Sequence, residues 1–102
     1  MKKSGIELIS EERREQIEKH GKTVEFDVKQ NKNSELSFAA ALLCCPNPKD
    51  YSSAENDYGC PEGWNKTQWV HMINKPYKER LIIVGSFAAA EIDRLNAFEE
   101  KP

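Results

Sequence analysis

The sequence predicts an all-α fold of three main helices, at about residues 6–20, 34–45 and 76–98, with a short helix at about 65–73 and a long irregular connection before it. Apolar residues recur at three- and four-residue spacing in each long segment. Capping residues such as Ser34 and Asn65 stand where helices should begin, and Gly21 and Pro46 stand where helices should stop. A chain of 102 residues fits a single helical domain, residues 1–102.

In the first helix Ile6, Ile9, Arg13 and Ile17 share one face. Arg14–Glu18 and Glu15–Lys19 are i,i+4 pairs on the wet side. Ser10 offers an N-cap for a shorter version starting at Glu11, and Gly21 is a natural C′ residue. Thr23 to Asp27 alternates weakly through Val24, Phe26 and Val28 and reads as a short extended piece, with polar Lys29 to Asn33 as a loop.

Ser34 or Asn33 caps the second helix, which runs to about Cys45. Leu36, Ala39, Ala40 and Leu43 form one apolar face, while Phe38, Ala41, Leu42 and Cys45 make the other side apolar too. A helix apolar nearly all round is expected at the centre of a fold. Pro46 ends it, because a residue before proline avoids the helical region. Residues 46–63 are punctuated by Pro46, Pro48, Gly59, Pro61 and Gly63, long for a loop unless Tyr51 and Tyr58 order it.

Asn65 and Gln68 then form a capping-box-like pair, and Trp64 and Trp69 have the spacing of a hydrophobic staple. Pro76 suits the first turn of the last helix, where a missing N–H costs nothing. That helix, about 33 Å long, has Tyr77, Leu81, Val84, Ala88, Ile92 and Leu95 as its expected core seam. Gly85 and Ala89 are small residues four apart, which predicts close approach of another helix.

Composition narrows the function classes. Charged residues make up 31% and hydrophobic ones 38%, and the net charge of −2 argues against general nucleic-acid binding, which needs a basic excess. The longest apolar stretch, Leu81 to Ala90 with Ser86 interrupting it, is too short to span a bilayer. No apolar stretch follows the basic start as in a signal peptide, so the cytoplasm is the expected compartment. Cys44, Cys45 and Cys60 are odd in number, and the first two are adjacent, which is no disulfide framework; Cys44 and Cys45 read as small core residues.

Few residues announce chemistry. Glu12 with Glu15, and Glu15 with Glu18, give E-x-x-E on one helix, a pattern that shares Mg²⁺ in helical nucleotide pyrophosphohydrolases of the MazG type. Such a site needs a second acidic pair, and Glu91 and Asp93 are two apart on different faces. Cys44, Cys45, Cys60, His20 and His71 lack zinc-site spacing. No phosphate cradle is present, since Pro61 removes a donor from Gly59–Gly63. More informative are Arg13 on the apolar stripe of the first helix and Arg80, Glu91 and Arg94 beside the seam of the last. Charges near a core need partners. They predict either an ion-pair network of Arg13 and Arg80 with Glu12 or Glu91, or an arginine-forked anion pocket. Trp64 and Trp69 either lock a loop–helix junction or form an aromatic binding patch.

These residues carry a resemblance. Glu12-Arg13-x-x-Gln16, Gly21-x-Thr23, Asp27, and Glu35-Leu36 with Ala39-Ala40 look like the start of small uncharacterised proteins common in phages and prophages, in a version found in Bacteroides-type mobile elements. Gly63-Trp64-Asn65-Lys66, Trp69, Lys75-Pro76-Tyr77-Lys78-Glu79-Arg80-Leu81 and Ala90-Glu91-Ile92-Asp93-Arg94-Leu95 fit as well, so the resemblance spans about residues 6–96. It implies no settled activity, only a link to nucleotide metabolism by association. Where relatives have a tryptophan after the glycine and a His-Asp-Asp with a further histidine, this chain has Lys22 and Phe26-Asp27-Val28.

The expectation is therefore a non-enzymatic binding module without a cofactor. Its partner would be a small anionic ligand, such as a nucleotide, or a protein, met by Glu12, Arg13, Arg80, Glu91, Trp64 and Trp69. A homodimer through the apolar last helix is a further expectation. The alternatives are a Mg²⁺-dependent nucleotide pyrophosphohydrolase-like enzyme or remnant, and a purely structural oligomerising protein.

Overall fold

The computed structural model describes residues 2–99. Among the described residues five α-helices follow in order: α1 (Gly5–His20), α2 (Val24–Gln30), α3 (Glu35–Leu43), α4 (Lys66–Ile73) and α5 (Tyr77–Glu99). Two 3₁₀ segments, Pro48–Asp50 and Ala54–Gly59, lie between α3 and α4, and no strand occurs among the described residues. The fold is all-α, as the sequence predicts.

Local chemistry sets the helix ends. α1 begins at a capping box: the Ser4 hydroxyl accepts from the Glu7 N–H at 3.2 Å, and the Ser4 N–H donates to the Glu7 carboxylate. Ser4, not Ser10, is thus its N-cap. Gly21 ends it in the left-handed region at φ 66°, as expected of a C-terminal glycine. Thr23 then caps a helix where an extended piece was expected, its hydroxyl accepting from the Phe26 N–H at 3.1 Å. Glu25 and Asp27 in the first turn complement the helix dipole and outweigh the weak alternation of Val24, Phe26 and Val28. At α4 the Asn65 side chain accepts from the Gln68 N–H at 2.9 Å.

α5 is the axis of the molecule and packs against α1, α2 and α3. Leu36, Ala39, Leu43, Trp69, Ile73, Ile83, Phe87 and Ala90 form the buried core. The molecule measures 43 × 40 × 21 Å, a slab about two helix diameters thick. A slab leaves helices with one covered face and one open face. α3 buries Leu36, Ala39 and Leu43 and leaves Phe38 60% exposed, so it is not buried all round. Cys44 is exposed and Cys45 half-buried, because α3 stops at Leu43 and Cys44 is already its C-cap. Neither cysteine is a core residue.

The largest correction concerns α5. Its buried residues are Arg80, Ile83, Ser86, Phe87, Ala90 and Arg94. The expected seam lies largely outside: Tyr77, Leu81, Ile92 and Leu95 are between 38% and 58% exposed, Ala88 is exposed, and only Val84 packs partly against the core. The close approach expected at Gly85 does occur: a Cβ placed there would stand 2.7 Å from Ile9 Cγ1. The connection after α3 is ordered by Tyr58, Cys60 and Trp64 packed on the core and by buried Pro48, whereas Tyr51 is 72% exposed.

Candidate functional site

Polar side chains occupy much of the buried face of α5 and of the helices against it. Arg13 is buried on α1, where Nη1 donates to the Lys22 carbonyl at 3.0 Å and Nη2 reaches Asp93 at 3.5 Å. One turn on, the Gln16 amide donates to the Ser86 hydroxyl at 2.8 Å and to Glu12 at 3.2 Å. Ser86 is fully buried and donates to the Ile83 carbonyl at 2.8 Å. This chain satisfies the polar interruption in the middle of α5. Burial pushes the Glu12 carboxyl above its ordinary range, although the Gln16 hydrogen bond opposes the shift.

On α2, Asp27 is 2% exposed. Its Oδ1 accepts from the Asn31 amide at 2.6 Å, and Oδ2 has no hydrogen-bond partner. Burial raises this carboxyl as well, against the pull of the Asn31 hydrogen bond and of the Arg13 and Lys22 charges. Asn31 in turn accepts from Trp64 Nε1 at 2.9 Å, tying α2 to the loop before α4. Trp64 meets Trp69 edge-on at 5.9 Å and Phe87 at 5.6 Å, and Trp69 Nε1 donates to the Tyr58 carbonyl at 2.9 Å. The two tryptophans lock the loop–helix junction, with Trp69 wholly buried.

Arg80 has a different task. Its guanidinium donates to the carbonyls of Lys75 at 3.0 Å, Leu43 at 2.9 Å, Cys45 at 2.5 Å and Pro46 at 3.0 Å. It therefore caps the C-terminal end of α3, whose last carbonyls have no partners within the helix. Glu91 is taken up by Arg94, through Nε and through Nη2 at 3.2 Å, and accepts from the Ser37 hydroxyl at 3.2 Å.

The structure thus divides the residues singled out from the sequence into separate groups. Arg13 bonds beside Asp93 and Arg80 beside Leu43, and positions 80 and 93 of one helix lie about 20 Å apart along its axis. The expected network joining Arg13 and Arg80 to Glu12 or Glu91 does not form, because each arginine finds nearer carbonyl or carboxylate partners. Gln16, Asp27, Asn31 and Ser86 belong to the polar seam and were not legible as such; only Ser86, breaking an apolar run, marked its place.

Among the described residues, no group of three or more His, Cys, Asp or Glu side chains could hold a metal ion. The surface has shallow, open depressions. One of about 380 Å³ lies between α1 and α5 over Ile9, Ile17 and Ala89, with Arg14 and Glu18 at its rim. Another of about 590 Å³ lies at the start of α3 by Phe38, Cys60 and Glu62. No described helix is long and apolar enough to cross a membrane.

What remains open is the outer stripe of α5. At 100° per residue Tyr77, Leu81, Ala88, Ile92 and Leu95 fall in a sector about 60° wide, opposite the buried face. No charged residue interrupts that sector between Tyr77 and Leu95. Compared with known proteins, the chain matches no family model, no curated protein and no solved structure.

Proposed function

We propose that this protein is a non-enzymatic interaction module that binds a protein partner through the outer stripe of α5. The supporting observation is the alignment of Tyr77, Leu81, Ile92 and Leu95, all exposed, along one side of the longest helix. Single exposed apolar residues are ordinary, but a contiguous apolar strip marks an interaction surface. Burying a leucine or isoleucine fully is worth about 1.5–3 kcal/mol, so several aligned side chains supply useful binding energy. The chain is also read as one of the phage- and mobile-element-type proteins it resembles, on its sequence motifs alone, and that reading carries no activity.

Two other readings have less support. A small anionic ligand would need free arginine forks, and the Arg80 guanidinium is bonded to carbonyls while Arg13 spends Nη1 on the Lys22 carbonyl and Nη2 on Asp93, leaving only its Nε without a partner. A Mg²⁺-dependent nucleotide pyrophosphohydrolase would need Glu91 to join Glu12 and Glu15, and Glu91 is bound to Arg94.

A photo-cross-linking amino acid at Ile92, compared with one at exposed Thr67 on α4, tests the proposal in cells that express the protein. Adducts from position 92 and none from position 67 are expected. No adduct at 92, together with a rise in melting temperature on adding nucleotide and Mg²⁺, would overturn it in favour of the nucleotide reading.

A further inference from the structure

We infer that the occupant of the α5 stripe is a second copy of this chain, laid antiparallel about a twofold axis at Ala88. This deepens the interaction-module reading and rests on it. Leu81 and Leu95 stand symmetrically about Ala88, seven positions to either side, and the half-buried Val84 at the edge of the stripe mirrors Ile92 at four positions. A twofold contact is self-complementary: when one residue meets another across it, the reverse contact also forms. An antiparallel copy therefore sets Leu81 against the partner copy's leucine at 95, Val84 against its isoleucine at 92, and the two Ala88 methyls against each other. The small side chain at the axis lets the helices approach closely.

Charge selects the direction. Lys78 lies at the N-terminal end of the stripe and Glu99 at its C-terminal end, both exposed. The antiparallel arrangement brings each lysine to the other copy's glutamate and opposes the two helix dipoles favourably. A parallel arrangement sets lysine beside lysine and glutamate beside glutamate. α5 has 23 residues and is about 34 Å long, of which the stripe from Tyr77 to Leu95 takes about 27 Å.

Sedimentation equilibrium of the purified chain, from micromolar to millimolar, tests this. The wild type is expected to dimerise. Ala88→Glu and Ala88→Arg each set like charges together at the axis and are expected to weaken the dimer at least about tenfold. An equimolar mixture of the two variants is expected to recover association, because the hetero-pair sets glutamate against arginine. Leu81→Lys mixed with Leu95→Glu should likewise recover, which reports antiparallel order. Circular dichroism checks that each variant keeps its helices, as expected for exposed positions. A wild type monomeric across the range, or mixtures no better associated than their components, overturns the dimer. Ile92 cross-links to a protein of different mass would then leave the broader interaction reading standing.

Discussion

The Arg80 guanidinium donates to the Leu43 carbonyl at 2.9 Å, joining the start of α5 to the last residue of α3. Bonds to the Cys45 and Pro46 carbonyls complete a cap that backbone geometry alone would leave open. Hydrogen bonds to a charged group contribute about 1.5–3 kcal/mol each, and a buried acceptor left unpaired costs about as much. Arg80→Ala is therefore expected to destabilise the protein by about 3 kcal/mol or more in urea unfolding. Arg80→Lys, which cannot reach several carbonyls with one fork, should recover less than half of that loss.

At Gly85 the Ile9 side chain of α1 packs closely on α5. Alanine normally stabilises a helix interior by up to about 1 kcal/mol over glycine. At position 85 its methyl would press on Ile9 Cγ1 at 2.7 Å. Gly85→Ala should therefore destabilise, by about 1–2 kcal/mol, as overpacking does. Combined with Ile9→Ala, the same change should become neutral or favourable. A double-mutant cycle by thermal or urea unfolding measures the coupling.

Asp27 makes stability depend on pH in a sense opposite to an ion-paired carboxylate. Its pKa is raised above the ordinary 3.8 by burial. The folded state thus holds the proton more tightly than the unfolded state. The stability this supplies is fully present below about 3.8 and is lost as pH rises through the elevated folded-state value. Asp27→Asn keeps the Oδ1 acceptor for Asn31 and removes the titration. The stability of wild type relative to this variant is expected to increase as pH falls from 7 toward 4, measured by urea unfolding at each pH. A difference that stays constant, or that moves the other way, contradicts the placement of Asp27.

Trp64 isolates one hydrogen bond from ring packing. Trp64→Phe retains an aromatic ring near Trp69 and Phe87 but loses the donor to Asn31 at 2.9 Å. A loss of about 1–3 kcal/mol is expected, since Asn31 is buried and its carbonyl loses this partner. Denaturant titration of the variant against wild type gives the figure.

The helices themselves were readable because their signals are local. Asn65, Gly21 and the proline breaks act on the backbone within one turn, whereas Ser34 stands at the N-cap position of α3 in the left-handed region, at φ 66°, and its side chain makes no cap bond. α2 was missed because Val24, Phe26 and Val28 alternate over too few residues to outweigh a threonine cap followed by acids. The face of α5 was misread for a different reason. The exposed side is the more apolar of the two, and it has the cleaner period. The buried side carries Arg80, Ser86 and Arg94, whose partners are Leu43, Gln16 and Glu91. Two of those partners lie far away in sequence, so nothing local shows that the burial is satisfied. The separation of Arg13 from Arg80 escaped for the same reason: both look like core charges in need of carboxylates, and Arg80 is satisfied by backbone carbonyls instead.

Placing the same glutamate two positions apart on α5 tests the orientation of that helix most directly. Ala88 is exposed and Ala90 is 1% exposed, although sequence periodicity assigns Ala88 to the core. Urea unfolding of dilute protein, where association is minimal, compares Ala88→Glu with Ala90→Glu. The first should stay within about 0.5 kcal/mol of wild type, as surface changes do. The second should lose several kcal/mol or fail to fold, because it buries an unpaired charge. A collapsed Ala88→Glu beside an intact Ala90→Glu would turn α5 over, return its apolar stripe to the core and remove the proposed interface.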